Sequence, residues 1–469
     1  MKNLARTTLL LFVAVAVFTA CSKDDPTPDG PEASEYTKKV NRFIKAAMDD
    51  KYFWNEDMPN LNYNYETDSK EYFYKLLDED DRFSWITDDV QELLASFEGN
   101  EKSFGWSLAF YNITDIGKIV AIVEFVYPET PASAAGFKRG DIILKVNGSS
   151  LSESNYKDLL NLDQVDATVG VPSENDIVAD TTIRLISDQL SLNPVLTTNV
   201  VEHDGRKIGY LFYAQFITNY DNDLGAAFQS FISQNVTDLV VDLRYNPGGM
   251  TESVRYLASC IAPLDVVSSG EVLVKKMWNR YWQEYWTDRQ IMSQLVLYFK
   301  SDVPSKMGLD RVYFLTGPYT ASSSELTITG LKPYMDEVIT VGDTTYGKFV
   351  GSQTLVPEMY LNDADAQEIS NWALQPIVVR FANSAGVTDF ENGFAPDILA
   401  DDNLLNAFPL GDKNDPLFKA AIEDITGTPV VAMKSAPKVS FNYKMIDRGF
   451  SRFDENKRLA PIKLEEPEK

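Results

Sequence analysis

The sequence predicts a multidomain α/β protein, and three stretches of different pattern carry that prediction. From about residue 205 onward, short apolar runs alternate with helical ones, as a mostly parallel sheet flanked by helices requires. Residues 104–195 are dominated by β-branched runs and turn residues. Residues 35–100 place apolar side chains at helical spacing, Val40, Phe43, Ile44 and Ala47 first, then Tyr72, Phe73, Leu76 and Leu77.

At 469 residues the chain has room for roughly two to four domains, and 44% hydrophobic residues suits packed cores rather than disorder. Acidic residues outnumber basic ones 69 to 43, which excludes the positive footprint that nucleic acid needs. The rare residues exclude more. The sequence holds a single histidine, His203, and two cysteines, Cys21 and Cys260. A zinc site takes three or four such ligands, so zinc hydrolysis has too little material, and we expect no metal and no cofactor. A serine–histidine–aspartate triad or a cysteine peptidase would have to use His203, which lies in a Glu-His-Asp-Gly turn. Hydrolytic chemistry here must therefore draw on Ser, Lys, Asp or Glu.

The amino terminus reads as an address. Lys2 and Arg6 precede an apolar run from Leu9 to Ala20, a length that suits a secretion signal better than a membrane span. The run ends Val17-Phe18-Thr19-Ala20-Cys21, which resembles a bacterial lipoprotein box. We expect residues 1–20 to be removed and Cys21 to be lipidated. An ordinary cleaved signal with an incidental cysteine is the blander alternative. Residues 21–34, rich in Pro and acidic side chains, would be a linker on that anchor, and Ser22-Lys23-Asp24-Asp25 looks like an export signal. The expected location is the outer membrane, on its periplasmic or cell-surface side. Cys260 is then left without an internal partner, so the fold must rely on its core.

In the β-rich stretch, the run Ile119–Val126 is followed by Pro131-Ala-Ser-Ala-Ala-Gly-Phe-Lys-Arg-Gly-Asp-Ile-Ile-Leu-Lys-Val-Asn-Gly148. Physically this is a short helix, a glycine-closed turn, a strand and an Asn-Gly hairpin. The string resembles the PDZ domains of bacterial proteases, in which backbone N–H groups of a glycine-containing loop take a peptide carboxylate. The loop implied here is Phe104-Gly105-Trp106-Ser107-Leu108.

In the α/β stretch, strands are expected at Ile208–Tyr213, Leu239–Leu243, Val312–Leu315 and Val338–Val341, with helices at Leu224–Phe231, Ser253–Ile261 and from about Ser322. Residues 263–310, with Trp278, Tyr281, Trp282 and Tyr285, interrupt the alternation and read as an insertion, a lid or a cleft wall. Residues 435–469 read as a charged surface tail.

Three strand-end segments carry the chemistry. Asp242-Leu-Arg-Tyr-Asn-Pro-Gly-Gly249 ends in adjacent glycines that leave backbone N–H groups unobstructed, as an oxyanion hole requires. Thr320-Ala-Ser-Ser-Ser-Glu325 stands at a helix start and, taken alone, reads as a capping box. Gly342-Asp-Thr-Thr-Tyr-Gly-Lys348 follows the next strand, where a lone lysine is ordinarily a solvated one.

Together these segments resemble the C-terminal processing peptidases, or tail-specific proteases, and Asp80-Asp-Arg-Phe-Ser84 resembles that family's amino-terminal helical region. The resemblance implies Ser322 as nucleophile and Lys348, 26 residues on, as general base. It implies oxyanion donors at Gly248 or Gly249 and at Ser323, with Glu325 in support. Some members orient the lysine with a glutamine four residues later; here that position is Ser352, with Gln353 next. The implied architecture is a signal (1–20), a linker (21–34), an N-terminal helical region (35–100) and a PDZ-like domain (104–195). A peptidase core of crotonase-like ββα repeats (200–410, with the 263–310 insertion) and a C-terminal extension (411–469) complete it.

The chemistry is self-consistent. An ammonium accepts no proton, so Lys348 must be neutral when Ser322 attacks, and burial disfavours the charged form of a lysine. The expected function is a serine endopeptidase acting on unfolded or tail-exposed proteins and peptides. The alternative is a non-catalytic lipoprotein that binds peptide or an apolar ligand on the same scaffold. A glycan-binding reading rests on the N-terminal aromatics alone, which also suit a core between small helices.

Overall fold

The computed structural model describes residues 31–160, 162–388, 390–431 and 441–448. Cys21 and the signal and most of the linker lie outside the described residues.

The central sheet has six strands in the order 195–203, 206–213, 238–242, 311–316, 337–342 and 398–399. The first pair is antiparallel and the remaining four pairings are parallel. Period-two alternation sorts its side chains onto two faces. Leu211, Tyr213, Leu239, Val241, Val312 and Phe314 meet the helices Asp221–Ser233, Thr251–Ile261 and Ser323–Leu331. Tyr210, Phe212, Val240, Tyr313 and Leu315 meet the helix Pro416–Thr426. A helix from the region expected to be an extension therefore covers a whole face of the core.

A second sheet is antiparallel throughout, in the order 296–298, 272–278, 377–383 and 350–352. The sequence pattern did not distinguish it from the parallel sheet, because buried strands of either kind read as apolar runs. Two of its strands come from residues 263–310. That segment also contacts the N-terminal region. Asn279 Nδ2 donates to the carbonyls of Asp50 (3.0 Å) and Tyr52 (3.2 Å), and Trp282 Nε1 donates to Asp50 (2.9 Å), so it buttresses the N-terminal region.

The N-terminal region is helical at Glu35–Lys51, Ser69–Lys75 and Val90–Phe97. It also contributes a strand, Trp85–Thr87, antiparallel to Ala373–Gln375. Just before it, the Ile377 N–H donates to Ser84 Oγ (2.8 Å), and Ser84 is held by Asp81. The Asp-Arg-Phe-Ser motif is thus a docking staple onto the core.

The PDZ-like sheet orders its strands 443–448, 106–113, 118–126, 142–146, 164–172 and 177–186. Residues 443–448, expected to be part of a surface tail, form its edge strand. Their strand-like alternation is too short to stand out in a charged stretch.

One buried ionic network joins these parts. Arg244, fully buried, pairs with Asp415 (2.7 Å), Asp242 (2.8 Å) and Asp402 (3.0 Å). Asp415 also caps the 416–426 helix through the Phe418 N–H. Arg139 of the PDZ-like domain pairs with Asp402 and donates to the carbonyls of Glu124 (2.9 Å) and Phe408 (3.0 Å). Burial pushes the Asp402 carboxyl up, but the pull of Arg139 and Arg244 outweighs it and holds the group below 3.8. Removing one member of such a set strands the others without solvent. Arg244→Met is expected to destabilise the chain by about 3–5 kcal/mol, read as a lower urea midpoint at unchanged slope. The depressed Asp402 carboxyl stabilises the wild type fully above pH 3.8, and that contribution drains away as pH falls further. The gap between wild type and variant is therefore expected to narrow in acid.

Candidate active site

The loop after strand 311–316 is built around strain. Ser322 adopts φ 58° and ψ −113°, a region that L-residues avoid, at the entrance to the helix Ser323–Leu331. Several bonds hold it there. The Ala321 N–H donates to the Asn246 carbonyl (3.1 Å), and Ser324 Oγ donates to the same oxygen (3.1 Å). The Leu326 N–H donates back to the Ser322 carbonyl (2.8 Å). The Ser322 side chain does not cap the helix: its hydroxyl is buried with no hydrogen-bond partner among the described residues.

Glu325 departs furthest from the capping-box reading. Its Oε2 accepts the Ser322 N–H (2.9 Å), as a box requires, and also the Lys348 N–H (2.8 Å). Its Oε1 accepts Thr345 Oγ1 (2.6 Å) and the Gly347 N–H (2.7 Å). One fully buried carboxylate thus clamps the Ser322 turn to the 343–349 loop. Burial pushes its carboxyl up, and the bonds from Thr345, Gly347, Lys348 and Ser322 oppose that. The Tyr346 N–H adds a bond to the Thr320 carbonyl (2.9 Å).

The glycine pair resolves into two roles. The Gly248 N–H donates to Asn246 Oδ1 (2.8 Å) and so is engaged. Gly249 has φ 138°, and a Cβ there would lie 2.2 Å from the Phe216 carbonyl oxygen. Ser323 Oγ donates to the Gly249 carbonyl (2.6 Å), which fixes the Gly249 peptide against the first turn of the helix. Gly249 is thereby packed directly beside Ser323 at the start of the helix.

Lys348 is 1% exposed. Its Nζ lies 5.2 Å from the ring of Phe83, so the N-terminal staple also roofs the lysine. Phe349, Val350, Ile377 and Phe390 complete this apolar cluster. Ser352 and Gln353 are buried beyond it; Ser352 Oγ and Gln353 Oε1 have no hydrogen-bond partner among the described residues, and the Gln353 N–H donates to Pro376 (3.3 Å).

Ser322, Ser323, Gly248, Gly249, Glu325 and Lys348 are therefore gathered by the fold. Phe104–Leu108 stay within the PDZ-like domain. Gly105, at φ 79° against Thr130, donates its N–H to Ser103 Oγ (3.1 Å), and Ser107 Oγ donates to Glu124 (2.7 Å). Phe104 and Leu108 are buried there, and Trp106 packs edge-on against Phe137. Cys260 is buried in the apolar core, where burial pushes its thiol up, and His203 Nε2 faces the Thr428 carbonyl (3.2 Å). Neither is arranged for nucleophilic chemistry. Phe83 over the lysine and the Arg244 network were missed as site supports; the charged and aromatic residues inside otherwise matching motifs were the signal.

Comparison with known proteins places the domains in a family. Residues 207–400 match the model of peptidase family S41, residues 39–85 that of the peptidase S41 N-terminal domain, and residues 122–166 that of a PDZ domain. Residues 207–400 thus belong to peptidase family S41. It is 25% identical over 296 residues to the chloroplastic C-terminal processing peptidase of Tetradesmus obliquus, covering 59% of this chain and 56% of that one. It is 25% identical over 295 residues to the carboxy-terminal-processing protease of Bartonella bacilliformis, covering 60% of this chain. The chain spans 59% of that second relative's length. A crystal structure of a Bacteroides fragilis protein assigned as an S41 protease superposes with TM-score 0.68 at 26% identity, over 82% of this chain and 97% of that one.

Glu325→Gln tests the clamp. An amide nitrogen cannot accept, so N–H donors are left facing a donor, and a loss of roughly 2–4 kcal/mol is expected in urea unfolding.

Proposed function

We propose that this S41 protein is a serine endopeptidase in which Ser322 is the nucleophile and Lys348 the general base, acting on exported proteins through their C-terminal tails. The observation that carries the reading is the single Glu325 oxygen that accepts the backbone N–H of both residues. The Ser322 hydroxyl, buried with no hydrogen-bond partner among the described residues, supports the nucleophile. The placement of Lys348, buried and held by the same Glu325 oxygen as Ser322, supports the base.

In this reading Ser322 Oγ attacks the scissile carbonyl and its proton passes to Lys348 Nζ. The N–H groups of Gly249 and Ser323 receive the oxyanion. Lys348 then protonates the leaving amine, and water resolves the acyl-enzyme with proton transfer again through Lys348. The Phe104–Leu108 loop would receive the substrate's C terminus. Cys21 would carry the lipid that holds the enzyme to the outer membrane.

Incubating the full chain with an unfolded protein between about pH 6 and 10 tests the dyad. Ser322→Ala and Lys348→Ala are each expected to lose about a thousandfold or more in kcat while the chain still unfolds cooperatively. Cleavage by Ser322→Ala at the wild-type rate would assign the chemistry elsewhere. For the anchor, Cys21→Ser is expected to move the protein from the membrane to the soluble fraction.

A further inference from the structure

The edge strand of the PDZ-like sheet has no part in the chemistry above. Tyr443–Arg448 pairs antiparallel with Trp106–Ile113, with Tyr443 opposite Ile113, Met445 opposite Tyr111, Asp447 opposite Phe110 and Arg448 opposite Ala109. The segment therefore runs toward the Phe104–Leu108 loop. It occupies the strand edge, next to that loop, where an added peptide strand would pair. Its other flank is the helix Tyr156–Leu160: Tyr156 Oη donates to Asp447 Oδ2 (2.5 Å), and Lys157 Nζ lies 3.7 Å from the same carboxylate. Ile446 packs on the apolar core of the domain.

The opposite face of the segment meets the peptidase core. Tyr319 Oη donates to Met445 Sδ (3.3 Å). Tyr443 and Met445 line a cavity of about 410 Å³ together with Gly317, Pro318 and Tyr319, the residues leading to the Ser322 turn. The start of the segment is tied down as well, the Asn442 N–H donating to Asp115 (2.7 Å) and the Thr114 N–H donating to the Asn442 carbonyl (2.9 Å).

We propose that residues 441–448 are a built-in ligand of the PDZ-like groove, and that the groove selects extended peptides carrying an apolar residue followed by an acidic one, which bind by displacing it. The inference rests on the peptide-binding reading of this domain. Backbone pairing accepts any sequence, so selectivity falls to the side chains that reach the groove. Those are Ile446, against the apolar core, and Asp447, against the Tyr156 hydroxyl and the Lys157 ammonium. A substrate must compete with a tethered segment whose effective concentration is of millimolar order, so weak or mismatched peptides are excluded. Displacement also removes Met445 from Tyr319, which stands three residues before Ser322 in the chain.

Peptide binding to the full chain carrying Ser322→Ala tests this, because no peptide is consumed whether or not Ser322 cleaves. The probe is a labelled peptide with the sequence of residues 442–448, followed by fluorescence anisotropy. Adding Ile446→Ser and Asp447→Lys to the chain is expected to raise its affinity for the probe by about tenfold or more. In that variant, a probe carrying the same two exchanges should bind about tenfold more weakly. Hydrogen exchange checks the fold: amides of 106–113 should lose protection in the variant, regain it with the probe, and leave the central sheet unchanged. Equal binding of the probe to both chains, or unchanged protection at 106–113, would overturn the built-in ligand. Equal binding of both probes would overturn the selectivity. Binding to neither chain would overturn the peptide-binding reading of the groove along with it.

Discussion

Four donors from two loops converge on the carboxylate of Glu325, and much of the candidate site depends on that convergence. A fully buried carboxylate is costly to maintain, and this one is kept by hydrogen bonds to both of its oxygens. In return it holds the Ser322 turn in a backbone region worth about 1–3 kcal/mol of strain and sets the start of Lys348 against it. The loops meet because their strands, 311–316 and 337–342, are parallel neighbours whose carboxyl ends emerge on one edge of the sheet.

The rest of the site is borrowed from distant parts of the chain. Lys348 is roofed by Phe83, delivered by a staple in which Ser84 and the strand 85–87 add themselves to residues 373–377. The Gly249 peptide is fixed by Phe216 on one side and by Ser323 on the other. Arg139 and Arg244 share Asp402, so the PDZ-like domain and the sheet meet through charges that have little water to fall back on. Such pairings specify a docking geometry, since any other arrangement leaves a buried charge alone.

The carboxy-terminal residues show how composition can mislead. A charged stretch without long periodicity reads as a solvated tail, yet residues 416–426 cover one face of the sheet and 443–448 extend another. Both succeed by tertiary means. Asp415 is neutralised by Arg244, and a six-residue strand needs only an exposed edge and two anchoring side chains. The antiparallel second sheet escaped notice for the reason given by its pattern: its strands read as apolar runs, as buried parallel strands also do.

By itself the sequence determined the order of the helical, PDZ-like and α/β regions, four of the six strands of the central sheet with the helices after them, and the residues on which the proposed chemistry falls. A chain with one histidine, a double glycine after a strand, a serine-rich helix start and a Tyr-Gly-Lys turn leaves few other candidates. The tertiary structure alone decided what each motif does. Glu325 reads as a local cap because its nearest donor is three residues away, and only the parallel sheet brings the Lys348 loop to the same oxygen. Gly248 and Gly249 are equivalent in sequence, and only the packing decides that the N–H of the first is taken by Asn246 while the carbonyl of the second is taken by Ser323. The physical reason is common to both. Local patterns fix which backbone groups lack partners, whereas the partners that satisfy them come from wherever the fold places a complementary atom.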